Sequence, residues 1–133
     1  MNKKEKIIFT VGGSGFIGRH LITNLLENDY FVTNIDPISL NNNNPKYKHI
    51  SLPVNDNFKS VKNIIPSGSV IYYLASSSVP GREKSFFNDY NDTVKPFIDF
   101  LEAVKLLTPR IIYLSSAGAI YGENNKPALE SDI

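Results

Sequence analysis

The chain has 133 residues, 41% of them hydrophobic and 20% charged, with a formal net charge of +1 and no cysteine. That is the size of one domain, long enough to bury its own core. The near-neutral balance gives no electrostatic footprint for nucleic acid or an anionic membrane. A chain without cysteine has no disulfide frame and no thiolate chemistry, which fits a cytoplasmic location. No apolar run approaches the length of a membrane span or signal peptide.

In chain order, Lys6 to Thr10 reads as a first strand. It runs into Val11-Gly12-Gly13-Ser14-Gly15-Phe16-Ile17-Gly18, and a helix is expected from about Gly15 to Asn28. Phe16, Ile17, Leu21, Leu25 and Leu26 are spaced to turn one face of that helix to a sheet. Tyr30 to Ile35 is a second strand, stopped by Asp36-Pro37. Residues 39 to 46 form a polar loop around four asparagines. A short third strand is expected over Tyr47 to Leu52. Asp56 would cap a helix from Asn57 to Ile65, which Pro66-Ser67-Gly68 ends.

Ser69 to Leu74 is a near-continuous apolar run, the pattern of a central parallel strand covered on both faces. A serine-rich loop, Ala75 to Gly81, leaves its C-terminal end. A long helical stretch follows from about Phe86 to Leu107, with Phe86, Tyr90, Val94, Phe97, Leu101 and Val104 at helical spacing as a core stripe. Pro96 should kink it or start a second segment. Arg110 to Leu114 is the fifth strand, and Ser115-Ser116-Ala117-Gly118 leaves it; the tail from Tyr121 reads as loop. Alternation of this kind predicts an α/β, Rossmann-type doubly wound parallel sheet of about five strands with right-handed crossovers. Residues 1–133 are then one domain.

The glycine stretch carries the chemistry. Gly12 suits a tight turn, Gly15 lets a backbone approach a pyrophosphate, and Gly18 permits close helix packing. The helix N-terminus offers unpaired N–H groups and partial positive charge to a phosphate. Asp36 ends the next strand at about the offset where an acidic residue binds a ribose hydroxyl. A glycine pattern alone is weak, but here it has the strand before it and the helix after it that the motif requires.

The spacing is G-x-x-G-x-x-G, and with Gly15-Phe16-Ile17-Gly18 it resembles the extended short-chain dehydrogenase/reductase family, the NAD-dependent nucleotide-sugar epimerases and dehydratases. Val70-Ile71-Tyr72-Tyr73-Leu74-Ala75, Phe100-Leu101-Glu102-Ala103 and Arg110 through Gly122 are similar to further family segments, so the likeness covers nearly the whole chain. The resemblance implies NAD as cofactor, with Gly12, Gly15, Phe16, Ile17 and Gly18 at its pyrophosphate and Asp36 at the adenosine ribose. The charge of Asp36 should repel a 2′-phosphate and favour NAD over NADP. Val54 would pack on the adenine, while Leu74, Ala75 and Ser76 would line the nicotinamide side. Ser115 or Ser116 would hydrogen-bond the substrate hydroxyl and the catalytic tyrosine.

The chain departs from the family pattern at four places. Pro53 stands where an aspartate near the adenine is common. Thr93, Pro96 and Phe97 align with an Asn and a Gly-Thr pair. Ala117 occupies the usual catalytic Ser or Thr position, which shifts that role to Ser116. None of the seven tyrosines has a lysine four residues later, and Tyr121 is followed at that spacing by Asn125. A phenol with a pKa near 10 needs such a lysine to act as acid and base at neutral pH.

The expected reading is therefore the NAD-binding part of a nucleotide-sugar 4-epimerase, inactive as this chain alone. On this reading the substrate-binding lobe is expected to be absent from this chain and the sheet to be incomplete at one edge. A complete enzyme would transiently pass a hydride from the sugar to NAD and return it. A nucleotide-sugar substrate is the expected partner once a C-terminal lobe is present, and a homodimer is one assembly open to it. A dehydratase or reductase fragment shares these motifs, and a non-catalytic NAD-binding module is the rival from another class. The serine clusters lack a Gly-x-Ser-x-Gly elbow, and two isolated histidines make no metal site.

Overall fold

A computed structural model describes residues 6–52, 58, 60–77, 86–116, 120–122, 126–127, 129 and 131. Five strands form one parallel sheet: β1 (Ile7–Val11), β2 (Phe31–Ile35), β3 (Tyr47–Ile50), β4 (Val70–Tyr73) and β5 (Arg110–Tyr113). Their spatial order is β3-β2-β1-β4-β5. Every pairing is parallel, as the alternation in sequence predicted.

The sheet has a core on each face because its strands alternate. Ile8 and Val32 pack with Ile22, Leu25 and Leu26 of helix α1 (Phe16–Glu27) on one side. On the other, Phe9, Val11, Ile35, Ile71 and Tyr73 pack with Phe100 and Val104 of helix α3 (Lys95–Val104) and with Phe58, Val61 and Ile65. Burial of one such large side chain is worth about 1.5–3 kcal/mol.

The α1 face is rotated from the expected one. Gly18, Ile22, Leu25 and Leu26 are buried, whereas Phe16 and Ile17 are 76% and 59% exposed. The cause is Gly18. A Cβ there would lie 2.4 Å from the carbonyl oxygen of Gly13, so this residue is pressed on the turn and carries the first-turn side chains outward. Phe16 instead packs edge-on against the ring of His20. The helix closes with a Schellman motif. Tyr30 N–H donates to Leu25 O and Asp29 N–H to Leu26 O, with Asp29 left-handed at φ 69°.

Residues 57 to 65 also differ from expectation. Among the described residues of that stretch the regular element is a 3₁₀ turn, Val61–Asn63. Phe58 sits at φ 49°, which no right-handed helix accepts. Its ring is buried against Phe100, with centroids 5.2 Å apart. Asp56 and Asn57, the expected cap and first residue, lie outside the described residues.

The long helical stretch runs as helix α2 (Phe86–Asp89), a π-helical turn (Tyr90–Val94), α3 and a 3₁₀ turn (Lys105–Leu107). Pro96 stands in the first turn of α3, where its missing N–H costs least. The wider π turn before it absorbs the interruption. Thr108, left-handed at φ 46°, ends the stretch before Pro109. No helix among the described residues is long and apolar enough to cross a membrane.

Candidate functional site

The register places the site. Val11 pairs with Ile35 of β2 and with Tyr73 of β4, so Gly12, Asp36 and Leu74 leave the sheet at one level. Chain connections diverge here, β1 leading to β2 on one side while β4 lies on the other. Open α/β sheets bind ligands at such a switch point. A cleft of about 310 Å³ opens there, lined by Gly12, Ser14 and Gly15 after β1, Asp36 to Ile38 after β2, and Leu74 to Ser77 after β4. Tyr73, Asp92 and Pro96 complete its wall.

Three consecutive turn N–H groups are tied to the end of β2. Gly12 N–H donates to Ile35 O at 3.0 Å, Gly13 N–H to Asn34 Oδ1 at 3.1 Å, and Ser14 N–H to Asp36 Oδ2 at 2.9 Å. Asp36 Oδ1 accepts from Ile38 N–H at 2.8 Å. The Asp36 carboxylate is thereby oriented by one backbone donor on each oxygen, and each oxygen keeps a further lone pair for a ligand hydroxyl. His49 Nε2 lies 2.8 Å from the Asp36 carbonyl oxygen and supports the same corner from β3.

The helix start is left for something else. No side chain caps α1, and its first turn holds no acidic residue. The first N–H groups of a helix have no intrahelical acceptor, so those of Phe16 and Ile17 stand at the positive end of the helix dipole without one.

The glycines divide by what they serve. A Cβ on Gly12, which sits at φ 77°, would meet the Ala75 backbone at 2.5 Å. One on Gly13 would meet Asn34 Oδ1 at 2.4 Å. Gly18 is excluded from a side chain by Gly13, as above. A Cβ on Gly15, in contrast, would have only Gly12 O within 4 Å, at 3.7 Å. Packing within the described protein gives no reason for glycine at position 15. Space for a ligand against the backbone does, and Gly15 lines the cleft.

The opposite wall includes Tyr73, which is backed by an aromatic cluster. Tyr73 packs against Phe97 and Phe100 at centroid distances of 4.7 and 5.2 Å, and Phe97 stacks on Tyr113 at 4.7 Å. Burial, then the neighbouring Tyr113 and Asp99, push the Tyr73 phenol up to about 12. It stays neutral and serves as wall. Beyond it, Ser77 Oγ lies 3.0 Å from Thr93 Oγ1, so the loop after β4 is pinned to the π turn.

The family model for the NAD dependent epimerase/dehydratase family matches residues 8–133. The chain belongs to that family. The family's cofactor is NAD. A putative UDP-glucose 4-epimerase from Methanocaldococcus jannaschii is 33% identical over 130 residues, covering 90% of this chain and 41% of that protein. The UDP-N-acetylglucosamine 4-epimerase from Methanobrevibacter ruminantium M1, solved with UDP-N-acetylmuramic acid, superposes with a TM-score of 0.75. It is 31% identical, with 96% of this chain and 43% of that one covered. A UDP-glucuronic acid 4-epimerase variant from Bacillus cereus, solved with NAD and a fluorinated UDP-sugar, is 26% identical at a TM-score of 0.65, with 93% and 44% covered. The chain spans about two fifths of the length of the relatives it matches.

Of the residues singled out from sequence, Gly12, Gly15, Asp36, Leu74, Ala75 and Ser76 come together around this epimerase-family cleft. Gly18 lies beneath it, shaping the turn. The side chains of Phe16 and Ile17 point to solvent, which leaves these two residues their backbone N–H groups as the available donors. Ser115 and Ser116 follow β5, exposed, and are not among the cleft-lining residues. Val54, with Pro53 and Ala117, lies outside the described residues. The sequence reading missed Asn34. Its pairing with Thr10 shows only in the register of β1 and β2, since Thr33 beside it is polar as well.

Proposed function

We propose that this chain is the NAD-binding part of a nucleotide-sugar 4-epimerase. The observation that carries the reading is Gly15: at a helix N-terminus, on the cleft, glycine leaves open space that the described protein does not fill. Asp36 at the adjacent strand end fits a ribose, and the residues present fit the dinucleotide that the family uses. Phe16 and Ile17 would hold the pyrophosphate through their N–H groups, Asp36 the adenosine ribose, Val54 the adenine, and Leu74, Ala75 and Ser76 the nicotinamide side. NAD, when bound, supplies a hydride acceptor that can give the hydride back.

Ser116, or Ser115, is assigned the hydrogen bond to the substrate hydroxyl. The substrate is a nucleotide sugar, held with a C-terminal lobe of the kind the longer relatives have room for. The reading carries a cytoplasmic location with it. One sequence observation favours a second reading, a non-catalytic NAD-binding module: no tyrosine has a lysine four residues on. Both readings expect this chain to bind NAD and not to epimerise UDP-glucose by itself.

The test is NADH titration followed by fluorescence. Gly15→Val should weaken NADH binding at least tenfold while leaving the melting temperature within about 2 °C, because the position is open and its φ of −69° suits any residue. Equal affinities for wild type and Gly15→Val would overturn the cofactor assignment.

A further inference from the structure

Asn34 is fully buried in the interior strand β2, yet every hydrogen-bonding position of its amide is used. Oδ1 accepts from Thr10 Oγ1 at 2.9 Å and from Gly13 N–H at 3.1 Å. Nδ2 donates to Ser14 Oγ at 3.1 Å and to the Tyr47 hydroxyl at 3.3 Å. Two acceptor and two donor positions are all an asparagine side chain has. One amide therefore joins β1, the glycine turn, β2 and β3.

The amide and the turn are matched in shape as well. The atom a Gly13 side chain would strike first is Asn34 Oδ1. Ser14, in turn, is gripped twice from β2, by Asn34 at its hydroxyl and by Asp36 at its N–H, and the same hydroxyl donates to Ile38 O. Asn34 itself does not line the cleft; Ser14 and Asp36 do. An apolar residue at position 34 would strand a buried N–H at Gly13 and a buried hydroxyl at Thr10, each costing about 1–3 kcal/mol. The turn would relax to find other partners.

From this geometry we propose that Asn34, with Thr10 as its support, is a positioning residue for cofactor binding. It sets Gly13 and Ser14 so that the helix start and the Asp36 carboxylate meet the dinucleotide together. This role rests on the NAD reading above and adds to it a residue that touches no ligand.

The experiment measures NADH affinity by fluorescence titration, with melting temperature, in wild type, Asn34→Leu, Thr10→Val, Thr10→Ser and Val32→Ala. Val32 is a buried core residue of the same strand and serves as the control for plain destabilisation. The expected result is a Kd raised at least tenfold in Asn34→Leu and several-fold in Thr10→Val. Thr10→Ser, which keeps the hydroxyl, should restore near-native binding, and Val32→Ala should bind normally while folded. Asn34→Leu within twofold of wild type, or no weaker than Val32→Ala at equal loss of melting temperature, overturns the role. If Asn34→Leu does not fold, the Thr10 pair decides, and equal affinities of Thr10→Val and Thr10→Ser overturn it. Wild-type protein that binds no NADH removes the cofactor reading instead. The turn is then read by amide hydrogen exchange at Gly13: protection lost in Thr10→Val supports the hold on the turn, and equal exchange in both proteins refutes it.

Discussion

On the β2 side of β1, the cleft is made of hydrogen bonds. Asn34, Ile35 and Asp36 each take one N–H of the glycine turn, and the atoms that would meet a ligand are fixed by polar contacts. On the β4 side it is backed by rings, of which Tyr73 lines the cleft. Tyr73, Phe97, Phe100 and Tyr113 pack together behind it, and the loop beyond is tied to Thr93 through both the N–H and the hydroxyl of Ser77. The difference teaches that one flank fixes the position of polar atoms and the other supplies shape. A polar network places donors and acceptors to a few tenths of an ångström, whereas a ring cluster excludes water and sets a boundary. The three residues of the helix that depart from the expected pattern, Thr93, Pro96 and Phe97, lie on this second flank.

That contrast can be broken most sharply at Gly18. Gly18→Ala forces a Cβ onto the Gly13 backbone, which cannot move without releasing the turn. Urea unfolding should show a loss of about 3 kcal/mol or more, and NADH binding should fall in whatever protein remains folded. Gly15→Val, in the same turn, should separate the two effects, as described above.

The ring flank is sharpened by pH. The Tyr73 phenol titrates near 12 in the fold and near 10 in the unfolded chain, so the folded state holds a proton between those values that the unfolded state has lost. Its stability contribution is present below pH 10 and is lost as pH rises through 12, with an upper limit of about 3 kcal/mol for two pKa units. Tyr73→Phe should therefore unfold with a shallower fall in stability between pH 10 and 12 than wild type, measured by urea titration at fixed pH steps. Parallel slopes in the two proteins would show that the ring is not the titrating group.

The smallest effect is expected at Asp36. If Asp36 holds the ribose as proposed, Asp36→Ala removes the charge that would disfavour a 2′-phosphate and the oxygen pair that would take the ribose hydroxyls. The preference for NADH over NADPH should narrow by about tenfold, or ~1.4 kcal/mol. A preference ratio unchanged by the substitution refutes the ribose role.

Much of this was legible in the sequence because it rests on spacing. The strand-turn-helix unit, Asp36 at the end of the second strand and the apolar run into Leu74-Ala75 all came from periodicity and glycine placement. What was not legible depended on tertiary geometry. Phe16 and Ile17 matched the apolar spacing of α1, but the Gly13–Gly18 contact fixes the helix rotation, and no local pattern encodes that. Phe58 looked like a helix interior residue, and burial against Phe100 set its backbone instead. Asn34 was hidden because a polar residue inside a strand, here beside a second one at Thr33, has several ordinary explanations. Only its register opposite Thr10, once the strands are paired, shows them as partners.

The lacing of the turn to β2 has a thermodynamic side. Ordering a backbone residue costs about 1–2 kcal/mol of conformational entropy. Here Gly12, Gly13 and Ser14 lose that freedom when β1, α1 and β2 come together, not when a cofactor arrives. A ligand then meets a surface already set, so more of its contact energy survives as affinity. The converse also holds: a dinucleotide that binds the folded chain at free concentration L stabilises it by RT ln(1 + L/Kd), which makes the availability of cofactor a factor in how long the folded chain persists.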